Sequence, residues 1–142
     1  MLFRSEKTAD YVQNYVQGGR ILIKHQAVAV RLGEMITKLN AVRALLNEAI
    51  RAVDAKAHDA EGLCNQAKMF ASEEIFKVCM HAVELHGGNG IMLDFGVEKY
   101  MRDASLFLHR DATVDFQVQD CEGHVSAYGG QICGARKLIK IK

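Results

Sequence analysis

The chain has 142 residues, the size of one ordinary domain able to bury its own core, and 49 % hydrophobic against 25 % charged residues excludes a disordered chain. Eighteen Lys and Arg against 17 Asp and Glu leave a net charge of +1, which gives no electrostatic reason to expect nucleic acid or an acidic membrane as partner. No apolar run approaches the ~20 residues of a membrane span.

Proline is absent, where average usage of ~5 % would give about seven, and the high content of Ala, Leu, Glu, Lys, Arg and Gln reads as helical. Ala9, Val12 and Val16 recur at helical spacing up to Gly18-Gly19, which predicts a helix stopped by a glycine pair. No cap-and-staple pattern opens this segment at Met1 to Ser5, so the first helix is expected to be truncated. A long helix is predicted from about Gln26 to Val53. Its stripe is Val28, Leu32, Met35, Leu39, Val42, Leu46, Ala49 and Val53, in alternating steps of four and three. A second stripe follows in Leu63, Ala67, Phe70, Ala71, Ile75, Val78, Ala82 and Leu85. The short polar loop Asp54 to Asp59 between them predicts antiparallel neighbours. The second helix stops at Gly87-Gly88-Asn89-Gly90. A shorter helix is expected from Gly96 to Ala104, and another from Thr113, with Thr as N-cap and Asp115 in the first turn. No segment sustains strand alternation. The pattern predicts an all-α antiparallel four-helix bundle.

The cysteines Cys64, Cys79, Cys121 and Cys133 contain no C-x-x-C pair, so neither a zinc knuckle nor a dithiol motif is written here. With no basic-then-apolar leader at Met1, they read as reduced thiols of a cytosolic-type compartment. The six histidines form no i,i+4 ligand pair, so no metal site is expected. The cluster His86-Gly87-Gly88-Asn89-Gly90 has two readings. One is a helix C-cap and tight turn; the other is close backbone approach to a phosphate-bearing ligand. The ionisable stretch Arg102 to Asp115 likewise reads either as a paired-charge surface or as a carboxylate, at a loop-to-helix junction, that serves as a base.

Three motifs then line up in order. Val83-Glu84-Leu85-His86-Gly87-Gly88-Asn89-Gly90, Val97-Glu98-Lys99-Tyr100-Met101-Arg102-Asp103-Ala104 and Asp111-Ala112-Thr113-Val114-Asp115-Phe116-Gln117 resemble three segments of the C-terminal helical domain of the acyl-CoA dehydrogenases. Those are its Gln-Ile-His-Gly-Gly-x-Gly turn, its Tyr-Arg-Asp-Ala helix end and its Glu-Gly-Thr-Ser-Glu-Ile-Gln loop. Upstream, Gly19-Arg20, Gln26-Ala27-Val28 and Leu32-Gly33-Glu34-Met35 are similar to the family's Arg-x-x-Phe-Gly, Gln-Ala-Val and Leu-Ala-Asp-Met segments, so the match is collinear over about Tyr11 to Gln117.

The resemblance implies FAD-dependent oxidation of an acyl-CoA thioester to the 2,3-enoyl-CoA, the work of a flavoprotein oxidoreductase of fatty acid metabolism. It implies acyl-CoA, further copies of the chain (a dimer or homotetramer) and an electron-accepting flavoprotein as partners. It places the α-proton base at Asp111, substrate contact at Ala112, and FAD contacts at Gln26, Glu84, Leu85, His86, Gly87, Gly88, Thr113 and Asp115. The chain differs from the family pattern at several of these places. Asp111 stands for Glu, Ala112 for Gly, Arg110 for Tyr, Glu84 for Gln, Tyr15 for the FAD-binding Arg and Gly18 for Phe. Asp is shorter than Glu by one methylene, roughly 1.3–1.5 Å of reach, and a ~1 Å misplacement can cost on the order of 10²-fold in rate. The family's N-terminal helical and middle β domains have no counterpart in residues 1–142. The expectation is therefore one C-terminal helical domain of a longer flavoenzyme, not active alone, in the cytoplasm or the mitochondrial matrix. The alternative is a non-catalytic helical oligomerisation module that has lost flavin binding.

Overall fold

The glycine pair at 18–19 sets how the chain enters its long helices. A computed structural model describes residues 2–109. Helix α1, Leu2–Asn14, ends before the glycines. The chain then makes a small hairpin from β1, Val16–Gln17, and β2, Arg20–Ile21, in the register Val16↔Ile21 and Gln17↔Arg20. Gly18 (φ 60°) and Gly19 (φ 76°) are both left-handed, as a two-residue type I′ turn requires. The pair is thus a hairpin turn rather than a helix stop. Val16, expected on the helical stripe, is exposed on a strand instead. Left-handed glycines serve C-caps and primed turns alike, so spacing alone does not separate the two.

A 3₁₀ turn, Leu22–Lys24, leads into α2, Gln26–Asp54, whose 29 residues span about 43 Å. Its N-terminus is the predicted one. Helix α3 covers Ala60–His86, two 3₁₀ turns cover Gly87–Ile91 and Leu93–Phe95, and α4 covers Val97–Phe107. The helix expected from Thr113 lies outside the described residues.

Packing fixes the directions. Met35 of α2 meets Val78 and Ala82 of α3, while Val42, a turn pair further on, meets Ala71 and Ile75. Rising numbers on α2 face falling numbers on α3, so the two are antiparallel. Helix α4 then runs back along α3, with Val97 in the first cluster and Ala104 in the second. A third cluster of Val12, Leu22 and Leu32 seats α1 and the 3₁₀ turn on the start of α2. The described residues therefore form an all-α arrangement of four helices around α3. On α2 the predicted stripe holds at Leu32, Met35, Val42 and Ala49. It fails at Leu46 and Val53, which are exposed, while Ala52 is buried. On α3, Phe70 is exposed too.

Candidate functional site

Helix α3 ends at a turn whose three glycines differ in what requires glycine. Gly87 is the C-cap with φ 55°, and its N–H donates to the Glu84 carbonyl, so this N–H is not available to a ligand as expected from sequence. Gly90 is buried, and a Cβ there would run into the Val83 carbonyl oxygen. Gly88 has neither constraint. It is exposed, its φ is not left-handed, and a Cβ on it would enter open space. Packing among the described residues does not demand glycine at 88, and a ligand has room to reach that backbone.

His86, which leads into the turn, is 5 % exposed. Its Nδ1 lies 2.7 Å from the Ala82 carbonyl oxygen, which can only accept, so the proton is on Nδ1. Burial lowers its pKa, partly opposed by that hydrogen bond, and the ring is neutral at pH 7. The ring stacks on Tyr11 of α1, with centroids 4.0 Å apart. Tyr11 also stacks on Tyr15 at 4.8 Å and takes Phe95 edge-on at 6.0 Å. Asn89 Nδ2 donates to the Tyr11 hydroxyl at 2.9 Å. Burial is the largest influence on Tyr11 and raises its pKa, so the phenol stays protonated.

Leu85 is a packing residue that touches two core clusters. Glu84 faces outward, and its carboxylate is not alone: His81 Nδ1 lies 3.0 Å away and Arg31 Nε of α2 at 4.0 Å, with Arg31 also 3.3 Å from Glu34. Gln26 is the exposed first residue of α2. It belongs to the same end of the molecule, because Val28 and Leu85 pack on one cluster. The fold therefore gathers Gln26, Glu84, Leu85, His86, Gly87 and Gly88 at one end. Tyr15, where the resemblance expects a cation, is 40 % exposed there. The remaining predicted site residues, Asp111, Ala112, Thr113 and Asp115, lie outside the described residues. Among the described residues, no group of three His, Cys, Asp or Glu is placed to hold a metal ion. Sequence reasoning did not single out Tyr11 and Asn89, which join across 78 positions and leave no local spacing signal.

A family model of the acyl-CoA dehydrogenase C-terminal domain matches residues 5–109. The chain is 36 % identical over 97 residues to mitochondrial isobutyryl-CoA dehydrogenase of Bos taurus, covering 68 % of this chain and 23 % of that protein. It is 39 % identical over 101 residues to the Dictyostelium discoideum protein of the same name, covering 71 % of this chain and 24 % of that one. The fold superposes on butyryl-CoA dehydrogenase from Megasphaera elsdenii with a TM-score of 0.82 at 25 % identity, over 86 % of this chain and 32 % of that one. It also superposes on the FAD complex of PigA with a TM-score of 0.82 at 22 % identity, over 89 % of this chain and 33 % of that one, a likeness of fold alone. The chain belongs to the acyl-CoA dehydrogenase family and corresponds to its C-terminal domain. It spans about a quarter to a third of the length of these relatives.

Proposed function

We propose that the chain is the C-terminal domain of a FAD-dependent acyl-CoA dehydrogenase that oxidises an acyl-CoA to the 2,3-enoyl-CoA and works as a homo-oligomer. The observation that carries this reading is Gly88, an exposed glycine that neither φ nor packing requires, at the turn that matches the family motif. A phosphate can approach a backbone without a Cβ, and the Gln26 amide at the same end adds a neutral donor. The Arg31 guanidinium, 4.0 Å from Glu84, partly offsets its charge, which therefore weighs less against an anion than the bare sequence suggests. When bound, FAD supplies the two-electron acceptor for the dehydrogenation. In this reading Gln26 and the exposed Gly88 backbone would contact its phosphates, and the resemblance assigns the α-proton base to Asp111, substrate contact to Ala112 and further FAD contacts to Thr113 and Asp115. The electron acceptor in this reading is another flavoprotein.

A second reading, an oligomerisation module without flavin, is favoured by one specific observation. Tyr15 stands where the resemblance expects the FAD-binding Arg, and its ring is stacked on Tyr11. Titration of the chain with FAD, read by flavin fluorescence, separates the two. The first reading expects binding that Gly88→Val weakens about tenfold or more, with thermal melting unchanged because position 88 is open. Equal affinity of wild type and variant sinks the phosphate-contact argument. No binding by the wild type, either alone or within the longer chain that the first reading expects, selects the module.

A further inference from the structure

The turn Gly87-Gly88-Asn89-Gly90 contains three glycines and one side chain. Glycine loses more conformational freedom on ordering than any other residue, so such a turn is a poor preformed site unless something holds it. The structure shows what holds it. The residue before the glycine pair, His86, stacks its ring on Tyr11 at 4.0 Å, and its carbonyl oxygen lies 3.5 Å from the Tyr11 hydroxyl. The residue after the pair, Asn89, donates its side-chain amide to that same hydroxyl at 2.9 Å. Both flanks of Gly87-Gly88 are thus tied to one residue of a different helix, more than seventy positions away. Tyr11 is itself held by Tyr15, the residue that follows α1, and by Phe95 edge-on.

We propose that Tyr11 is a positioning residue: with Asn89 as its catch, it clamps the glycine turn to α1 and fixes the shape of the exposed Gly88 edge. The proposal rests on the flavin reading above only for the identity of the ligand. The clamp has two parts. The ring stack fixes where the end of α3 meets α1, and the hydroxyl fixes the turn beyond it. Tyr11→Phe keeps the first part and removes the second; Asn89→Ala removes the same hydrogen bond from the other side.

The experiment is amide hydrogen exchange by NMR on the 142-residue chain, with FAD titration and thermal melting alongside. Tyr11→Phe and Asn89→Ala are each expected to speed exchange at Gly88 to Gly90 by about tenfold. The double variant is expected to add little to Tyr11→Phe, because the Tyr11 hydroxyl accepts the bond that Asn89→Ala removes and its contact with the His86 carbonyl is lost in Tyr11→Phe already. Melting should change by only a few degrees, since the ring and its packing remain. FAD affinity should fall in both single variants while melting holds, a split that a merely stabilising tyrosine would not produce. Faster exchange with no FAD binding by the wild type upholds the clamp and shows that this chain alone does not hold the flavin. Unchanged exchange in both single variants overturns the clamp, whatever FAD does.

Discussion

A carboxylate at position 74 would be destabilising on the inward side of α3 if it stood alone. Glu74 is buried, and it is answered twice: Lys38 of α2 reaches Oε2 at 2.6 Å and Lys77 reaches Oε1 at 2.6 Å. The Lys38 hydrogen bond, then that of Lys77, hold its pKa below the ordinary carboxylate value against the opposing effect of burial. A pKa depressed in the folded state contributes stability above the unfolded pKa and loses it as pH falls through the folded one. Glu74→Gln should therefore destabilise by about 1–2 kcal/mol at pH 7. The gap to wild type should close as pH drops below the carboxylate range, measured by thermal or urea unfolding at several pH values. A gap independent of pH would show that Glu74 acts by packing alone. Legibility differs between residues for the same physical reason. Glu74 falls three residues from Ala71 and four from Val78, within reach of the apolar face, yet its partner on α2 is visible only in the fold. Glu84 reads from sequence as a bare negative charge, and only the packing of α2 against α3 supplies Arg31. Gly87 and Gly88 look alike in sequence, and a Cβ on either would enter open space; φ tells them apart.

At the scale of elements, periodicity and caps carry most of the fold, and they fail where two structures share one signal. The starts and ends of α2 and α3 follow from apolar spacing and from the glycines after His86. The Gly18-Gly19 hairpin does not, since the pairing of Val16 with Ile21 has no periodic trace over so few residues. The loop from α2 to α3 shows another device. The N–H of Ala57 donates to Ala52 at 2.9 Å and that of Lys56 to Val53 at 3.0 Å, with Lys56 at φ 50°. These are the two bonds of a Schellman cap, with lysine where glycine usually stands. A non-glycine residue in the left-handed region costs about 1–2 kcal/mol. Lys56→Gly is expected to raise stability by about 0.5–1 kcal/mol, the remainder being offset by the freer unfolded chain. Urea unfolding measures it. A loss of stability would mean that the Lys56 side chain makes contacts outweighing the strain.

For the whole molecule, the departure of α2 from its predicted stripe matters most. At 100° per residue, Leu46, Ile50 and Val53 lie within about 60° of one another, a single strip on the second half of the helix. The buried residues follow a different line, through Val42, Ala49 and Ala52, and Val42 packs against Ala71 and Ile75 of α3. A repeat of alternating fours and threes drifts by about 20° per heptad against a straight helix, so one stripe cannot stay centred on one neighbour for 29 residues. The result is a strip left 40 %, 56 % and 51 % exposed at Leu46, Ile50 and Val53. Large apolar side chains clustered this way mark an association surface more often than a solvated one. In the proposed function its occupant is a second copy of the chain, and self-association should be centred on this strip. The 142-residue chain is expected to sediment as a dimer or larger at roughly 50 μM. Ile50→Lys with Val53→Glu should shift it toward monomer. Because both side chains are exposed, intrinsic stability should change by no more than about 0.5 kcal/mol per substitution. Sedimentation velocity and urea unfolding of the same samples test the two halves together. A wild-type chain that is monomeric at that concentration, or a double variant that associates as strongly as wild type, would place the association surface elsewhere or remove the need for one.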